Sequence, residues 1–135
     1  MKIYIFYLPV IFVILTYSAA PRVPLVFYQE ESGNEPVRAW LRELPKNDRQ
    51  VVGEDLAYLQ ENWGKDNSIA KRIESGEGLW EVKSNLESCV SRVIFKEIDG
   101  KIVVLNAFIK KRNTTRVPDI ALAVKRSQTL KNISK

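Results

Sequence analysis

The dipeptide Asp99-Gly100 lies between two apolar, β-branched runs, and this arrangement constrains the fold more than any other stretch of the chain. A two-residue Asp-Gly link is a strong hairpin signal, because both positions accept the positive φ that such a tight turn demands. Before it comes Val90-Ser91-Arg92-Val93-Ile94-Phe95-Lys96. After it comes Lys101-Ile102-Val103-Val104-Leu105-Asn106-Ala107-Phe108-Ile109, almost without a polar break. The spacing predicts an antiparallel pair whose second strand is central and covered on both faces.

The segments before this hairpin read as one strand and two helices. Leu25-Val26-Phe27-Tyr28 suits a short strand, and Glu30 to Gly33 turn the chain. Asn34 is a good helix N-cap, and Pro36 in the first turn loses no hydrogen bond there. Val37, Trp40, Leu41 and Leu44 recur at helical spacing, which predicts a helix from Glu35 to Leu44 that Pro45 stops. Val52, Leu56, Leu59 and Trp63 mark a second helix from Asp48 to Trp63, with Gly64 at its left-handed end. The short Pro-containing link makes the two an antiparallel hairpin. From Ile69 the period falls towards two, with a weak strand at Ile69 to Ile73 and another at Leu79 to Lys83. Pro118-Asp119 opens a last helix with Ile120, Leu122, Ala123 and Val124 inside and Lys125 and Arg126 near its end. The expected fold is therefore α+β: an N-terminal helical hairpin packed on a mostly antiparallel sheet, closed by a short C-terminal helix.

Ahead of this domain stands an unlike segment. Ile3 to Ala20 is 18 residues without a charge, preceded by Lys2 and interrupted by Pro9. It approaches the length of a membrane span, and Ser18, Ala19 and Ala20 give it signal-peptide anatomy, although Pro21 follows directly. A third reading is an upstream extension of the reading frame.

Composition removes several classes of chemistry. The chain has no His and one Cys. Ser-His-Asp and Cys-His nucleophilic machinery, His-ligated metal sites and paired-histidine acid/base catalysis all lack their residues. One Cys permits neither an intrachain disulfide nor a multi-cysteine metal site. The net charge of +5 is uneven: residues 22–79 carry −3 and residues 80–135 carry +7. A basic C-terminal half suits a polyanion or an acidic partner, or is simply a solvated surface.

Four cations fall on or just after adjacent strands: Lys83, Arg92, Lys110 and Lys111. Arg92 sits within an apolar strand, where an unpaired charge is costly to bury, so it must reach solvent, a carboxylate or a ligand anion. An ion pair with Glu81 or Glu97 across the sheet is the structural alternative to a ligand. Lys83 reads equally as an ordinary solvated lysine, and Lys110-Lys111-Arg112 as a solvated loop. Glu81 precedes Lys83 by two residues and shares its strand face. Trp80 alternates away from Glu81, towards the core rather than a base-stacking surface.

Gly78-Leu79-Trp80-Glu81-Val82-Lys83, then Ser91-Arg92-Val93-Ile94-Phe95, then Phe108-Ile109-Lys110-Lys111 give an order and spacing that resembles the RelE/ParE superfamily of toxin–antitoxin toxins, in particular its HigB-like branch with phage-derived host-inhibition proteins. Phe27-Tyr28, Gly33 to Leu41 and Gly53-Glu54-Asp55-Leu56 extend the likeness, which covers Val23 to Leu130. The resemblance implies a sheet fold related to microbial ribonucleases, with the toxin domain over residues 23–131 and a tail at 132–135. It implies a toxin of a type II system that cleaves mRNA on the ribosome without metal or cofactor and is silenced by a cognate helix-turn-helix antitoxin. A non-enzymatic inhibitor of a host protein such as a topoisomerase, and an inactive relative, are the alternatives.

Carried over by position, Arg92 matches the arginine that contacts the scissile phosphate, Lys111 the cation after the long strand, and Lys83 a basic residue on the strand from Leu79. Glu81 is a candidate base or an orienting partner of Lys83 or Arg92. Lys110, Arg112 and Arg116 are the expected RNA contacts. Asn106 stands where related sequences often have His, and the last tyrosine is Tyr58, so no C-terminal tyrosine supplies a proton. A ribosome-directed toxin works in the cytoplasm and has no use for export. The resemblance therefore favours reading residues 1–22 as an extension before a start at Val23. A membrane-anchored or exported protein follows only if residues 3–20 are genuine.

Overall fold

The computed structural model describes residues 22–74, 77–111 and 116–133. Its elements, in chain order, are β1 (Leu25–Phe27), α1 (Pro36–Glu43), α2 (Lys46–Asn62), β2 (Ala70–Arg72), β3 (Trp80–Asn85), β4 (Val90–Ile98), β5 (Lys101–Lys110) and α3 (Val117–Ile133). The five strands form one sheet in the order β1-β5-β4-β3-β2. β1 runs parallel to β5, and the remaining pairs are antiparallel. The α+β arrangement read from the sequence is the one observed.

The hairpin that constrained the reading is built as expected. Asp99 and Gly100 have φ of 52° and 75°, the left-handed pair of a turn whose twist matches that of its strands. β5 is an interior strand covered on both sides. Ile102 and Val104 enter one apolar cluster with Leu25, Phe27, Val82, Val93 and Phe95, and α1 and α2 cover it with Val37, Leu41, Val52 and Leu56. Val103 and Leu105 enter the other, with Val26, Leu79, Ile94 and Ala123 of α3.

Prolines set the helix boundaries, and two differ from the sequence reading. The N-cap of α1 is Glu35 rather than Asn34, and the Glu35 side chain makes no capping hydrogen bond. Pro36 disfavours helical backbone in the residue before it, so Glu35 is held extended at φ −117°, ψ 92°. Pro45 acts in the same way on Leu44 at the other end (φ −68°, ψ 147°). α2 then begins at Lys46, two residues ahead of the expected Asp48, because Pro45 itself serves as its cap. Asp48 is left to accept a 3.2 Å hydrogen bond from the Glu87 N–H, tying α2 to the β3–β4 link. Arg49 caps the end of α1, donating to the carbonyls of Arg42 (3.1 Å) and Leu44 (3.0 Å). Gly64, at φ 89°, follows α2 as the sequence predicts.

α3 continues past Lys125 and Arg126 to Ile133. Ile120, Ala123 and Val124 face the sheet at i, i+3, i+4, whereas Leu122 is 39% exposed. Four residues so close in sequence cannot share one helical face, since each step turns the side chain by about 100°. Among the described residues no helix is long and apolar enough to cross a membrane. The hydrophobic segment at residues 3–20 lies outside the described residues.

Candidate functional site

β1 pairs with β5 only from Ile102 to Val104, and the Tyr28 N–H adds a last 2.9 Å bond to the Val104 carbonyl. Beyond Val104, β5 continues for six residues past the described end of that partner strand. Burial follows the pairing: residues 102–106 are buried, and residues 107–110 are half-buried. A strand edge left this way has backbone groups to satisfy. Arg126 of α3 donates a 2.7 Å bond to the Leu105 carbonyl. Asn106 Oδ1 accepts from the Ala107 N–H at 2.9 Å, and its Nδ2 donates to the Asp119 carbonyl at 3.0 Å. Asn106 therefore fastens the start of α3 to the open edge.

A β-bulge at the same point re-aims the strand. Ile94 pairs with Asn106 and Phe95 with Val104, so Leu105 is the extra residue on β5. Before the bulge the even-numbered residues Ile102 and Val104 face α1 and α2; beyond it the odd-numbered Ala107 and Ile109 do. The bulge thereby moves Asn106 and Phe108 onto the α3 side, the side that also bears Glu81 and Arg92.

On that side Lys83, Arg92 and Phe108 stand opposite one another across β3, β4 and β5. Glu81 lies one diagonal step from Arg92, within reach of long side chains. Arg92 Nη1 donates to Glu81 Oε1 at 2.7 Å, and Arg116 Nη1 donates to Glu81 Oε2. Glu81 is 3% exposed, with both carboxylate oxygens engaged by cations. The carboxylate predicted across the sheet from Arg92 is thus Glu81, not Glu97. The Nε of Arg92 is buried and has no hydrogen-bond partner among the described residues. Lys83 is exposed beside Arg92.

At the open end of β5 a cleft of about 390 Å³ lies between α1, the strand and the start of α3. Trp40, Phe108 and Ile109 give it apolar walls, and Lys110, Lys111, Arg116 and Asp119 give it charge. Arg116 is common to the cleft and to the Glu81 clamp. The structure thus gathers two linked groups from the expected residues: Glu81 with Arg92 and Arg116, and Arg116 with Lys110 and Lys111. Lys83 lines neither, and Arg112 lies outside the described residues. Among the described residues no three His, Cys, Asp or Glu side chains gather where they could hold a metal ion.

Residues 39–128, two-thirds of the chain, match the family described as Phage derived protein Gp49-like (DUF891). The chain belongs to that family. Gp49-like proteins fall in the RelE-like toxin group, in keeping with the fold. No curated protein matches the chain.

Sequence reasoning missed two side chains of this Gp49-like site. Trp40 reads as one member of a helical apolar stripe, and it does pack against the core, but part of it lines the cleft. Asp119 reads only as a helix-opening residue. Nothing in their spacing shows that α1 and α3 both border the end of β5. Trp80 is half-buried and packs against the core on the α1/α2 side, the direction its alternation implies, edge-on to Trp63 with ring centroids 5.1 Å apart.

Proposed function

We propose that this Gp49-like chain is the toxin of a type II toxin–antitoxin system, close to the HigB-like branch, and that it cleaves mRNA on the ribosome. The observation that carries the reading is the Arg92–Glu81–Arg116 clamp leading directly into a cleft lined by Lys110 and Lys111. Cleavage of RNA by its own 2′-hydroxyl forms a bond from that oxygen to the neighbouring phosphorus and breaks the bond to the 5′-oxygen. The products are a cyclic phosphate and a 5′-hydroxyl end. The negative charge that builds on the phosphorane needs fixed cations in a water-poor setting. Arg92 offers one, its guanidinium partly exposed beside Glu81, and Arg116, Lys110 and Lys111 offer the others.

Glu81 takes the part of a positioning residue. Each of its oxygens already accepts an arginine, so it holds two guanidinium groups in place rather than collecting the proton of the attacking hydroxyl. The proton acceptor and donor in this reading are drawn from lysine and from the ribosomal setting. The basic half of the chain faces the ribosome and mRNA, and a helix-turn-helix antitoxin encoded nearby silences the site.

Induction in a bacterial host, followed by mapping of mRNA 5′ ends by primer extension, tests this. New ends inside translated messages are expected, together with growth arrest that the neighbouring antitoxin relieves. Arg92→Ala lowers end formation by about 100-fold or more, the usual effect of removing one group that stabilises transition-state charge. Intact messages with a DNA-damage response would replace the reading by a topoisomerase-type inhibitor. Undiminished cleavage in the Arg92→Ala, Lys111→Ala double variant would place the site elsewhere.

A further inference from the structure

We infer that Asn106 is a positioning residue: by holding the first turn of α3 against β5 it fixes where Arg116 stands, and so sets the spacing of the two arginines on Glu81. This rests on the RNA-cleaving reading of the site and adds to it a residue that acts only through another.

Arg116 depends on such an anchor. It immediately precedes α3, and its carbonyl accepts a 3.0 Å bond from the Ile120 N–H, so its backbone moves with the first helical turn. Its side chain is 33% exposed, yet its guanidinium meets the buried Glu81, which also receives Arg92. A long side chain with many rotamers keeps one such contact only if its origin is fixed. The placement matters steeply, because a shift of about 1 Å in a reacting constellation can cost about 100-fold in rate.

The origin is fixed from the sheet. β1 pairs with β5 no further than Val104, and the bulge at Leu105 turns Asn106 onto the α3 side, where it is 7% exposed. Asn106 Oδ1 accepts from the Ala107 N–H at 2.9 Å, which sets the plane of the amide. Nδ2 then donates to the Asp119 carbonyl at 3.0 Å, three residues beyond Arg116 and within the same turn. Arg126 grips the Leu105 carbonyl from seven residues further along α3, about 10 Å away at 1.5 Å per residue. Arg126 thus secures the body of the helix, and Asn106 secures its start. An amide suits the place because it accepts on one atom and donates on the other without bringing a charge. Leucine, of similar size, does neither. Serine stays polar but ends one bond short of α3.

Two measurements on the full chain test the inference. The first needs no ribosome: arginine side-chain N–H signals are followed by NMR and assigned through Arg92→Lys and Arg116→Lys. In Asn106→Ser and Asn106→Leu the Arg116 signal moves towards that of a solvated arginine, and the Arg92 signal moves less. An Arg116 signal unmoved in either folded variant overturns the inference. Asn106→Ser decides this even if Asn106→Leu does not fold. The second is a double-substitution cycle on message cleavage. Arg116→Ala lowers end formation by about 100-fold and Asn106→Ser by about tenfold. The double variant falls no lower than Arg116→Ala alone, because a residue that acts through Arg116 has nothing left to position. Losses that multiply to about 1000-fold would make Asn106 an independent contributor and overturn the inference. A moved Arg116 signal in a chain whose parent form cuts no message overturns the endonuclease reading alone.

Discussion

Ser84 donates a 2.6 Å hydrogen bond to Asp55 Oδ2, joining β3 to α2 through a carboxylate that packing has taken partly out of water. Burial pushes the Asp55 carboxyl above its ordinary value of 3.8; the Ser84 bond opposes the rise and neighbouring Glu54 adds to it. The folded chain thus holds this proton more readily than the unfolded chain does. Below 3.8 the carboxyl is protonated in both states and costs nothing. As pH climbs from there through the raised folded value, the unfolded state loses its proton first and stability falls, after which the penalty stays constant. Asp55→Asn keeps an acceptor for Ser84 and has no proton to lose. Urea denaturation from about pH 4 to about pH 7 should therefore show a smaller decline for Asp55→Asn than for the parent chain. An identical decline would mean that other carboxylates set the slope. The same comparison of burial with pairing shows why Arg92 can sit in an apolar strand: Glu81 answers its charge at 2.7 Å.

Among the elements, β5 decides the most, because the bulge at Leu105 changes which residues face the arginines. Arg126 holds that bulge from α3 by its bond to the Leu105 carbonyl and lies over the Tyr28 ring, 5.1 Å from the centroid. Arg126→Met keeps much of the packing and removes the charge-assisted bond and the cation–π contact. It should cost about 1.5–3 kcal/mol in urea titrations, with the backbone amide signals of Leu105 and Asn106 shifting most. A change within about 0.5 kcal/mol would show that the bulge stands without it. The bulge also marks the border of what the chain's pattern made legible. Asp99-Gly100 and the apolar run beyond it announce β4 and β5, and Val52, Leu56 and Leu59 announce α2, since turn chemistry and periodicity are local. Local signals do not announce that β1 leaves β5 at Val104, that Leu105 is an extra residue, or that Trp40 and Asp119 line the same cleft. These depend on packing between elements far apart in sequence. The Glu81–Arg92 pair was legible because strand register brings it together, whereas Arg116 reaches Glu81 from the start of α3, which pairs with no strand.

At the scale of the molecule, the described cations of β3, β4 and β5 are spread along the sheet and are not one patch. Lys101 and Lys110 begin and end β5, which places them about 30 Å apart at roughly 3.3 Å per residue. That is about three Debye lengths at 0.1 M salt, so a strand's two ends act on a polyanion independently. The hairpin end holds Lys101, and Lys96 near it reaches Ser127 of α3 at 3.5 Å. The cleft end holds Lys110, Lys111 and Arg116, with Lys83 and Arg92 beyond the clamp. If RNA lies across the cleft end, only those charges release counterions on binding. On a single strand, each phosphate that the protein neutralises adds about 0.7 to the steepness of log K against log salt. A short RNA resistant to cleavage, titrated by fluorescence anisotropy at several salt concentrations, measures this directly. Lys111→Ala should reduce the slope by about 0.7, and Lys110→Ala with it by about 1.4, whereas Lys101→Ala should leave it unchanged. Equal effects of Lys101 and Lys111 would mean that the protein attracts RNA through its overall charge, and the cleft would lose its claim to the phosphate.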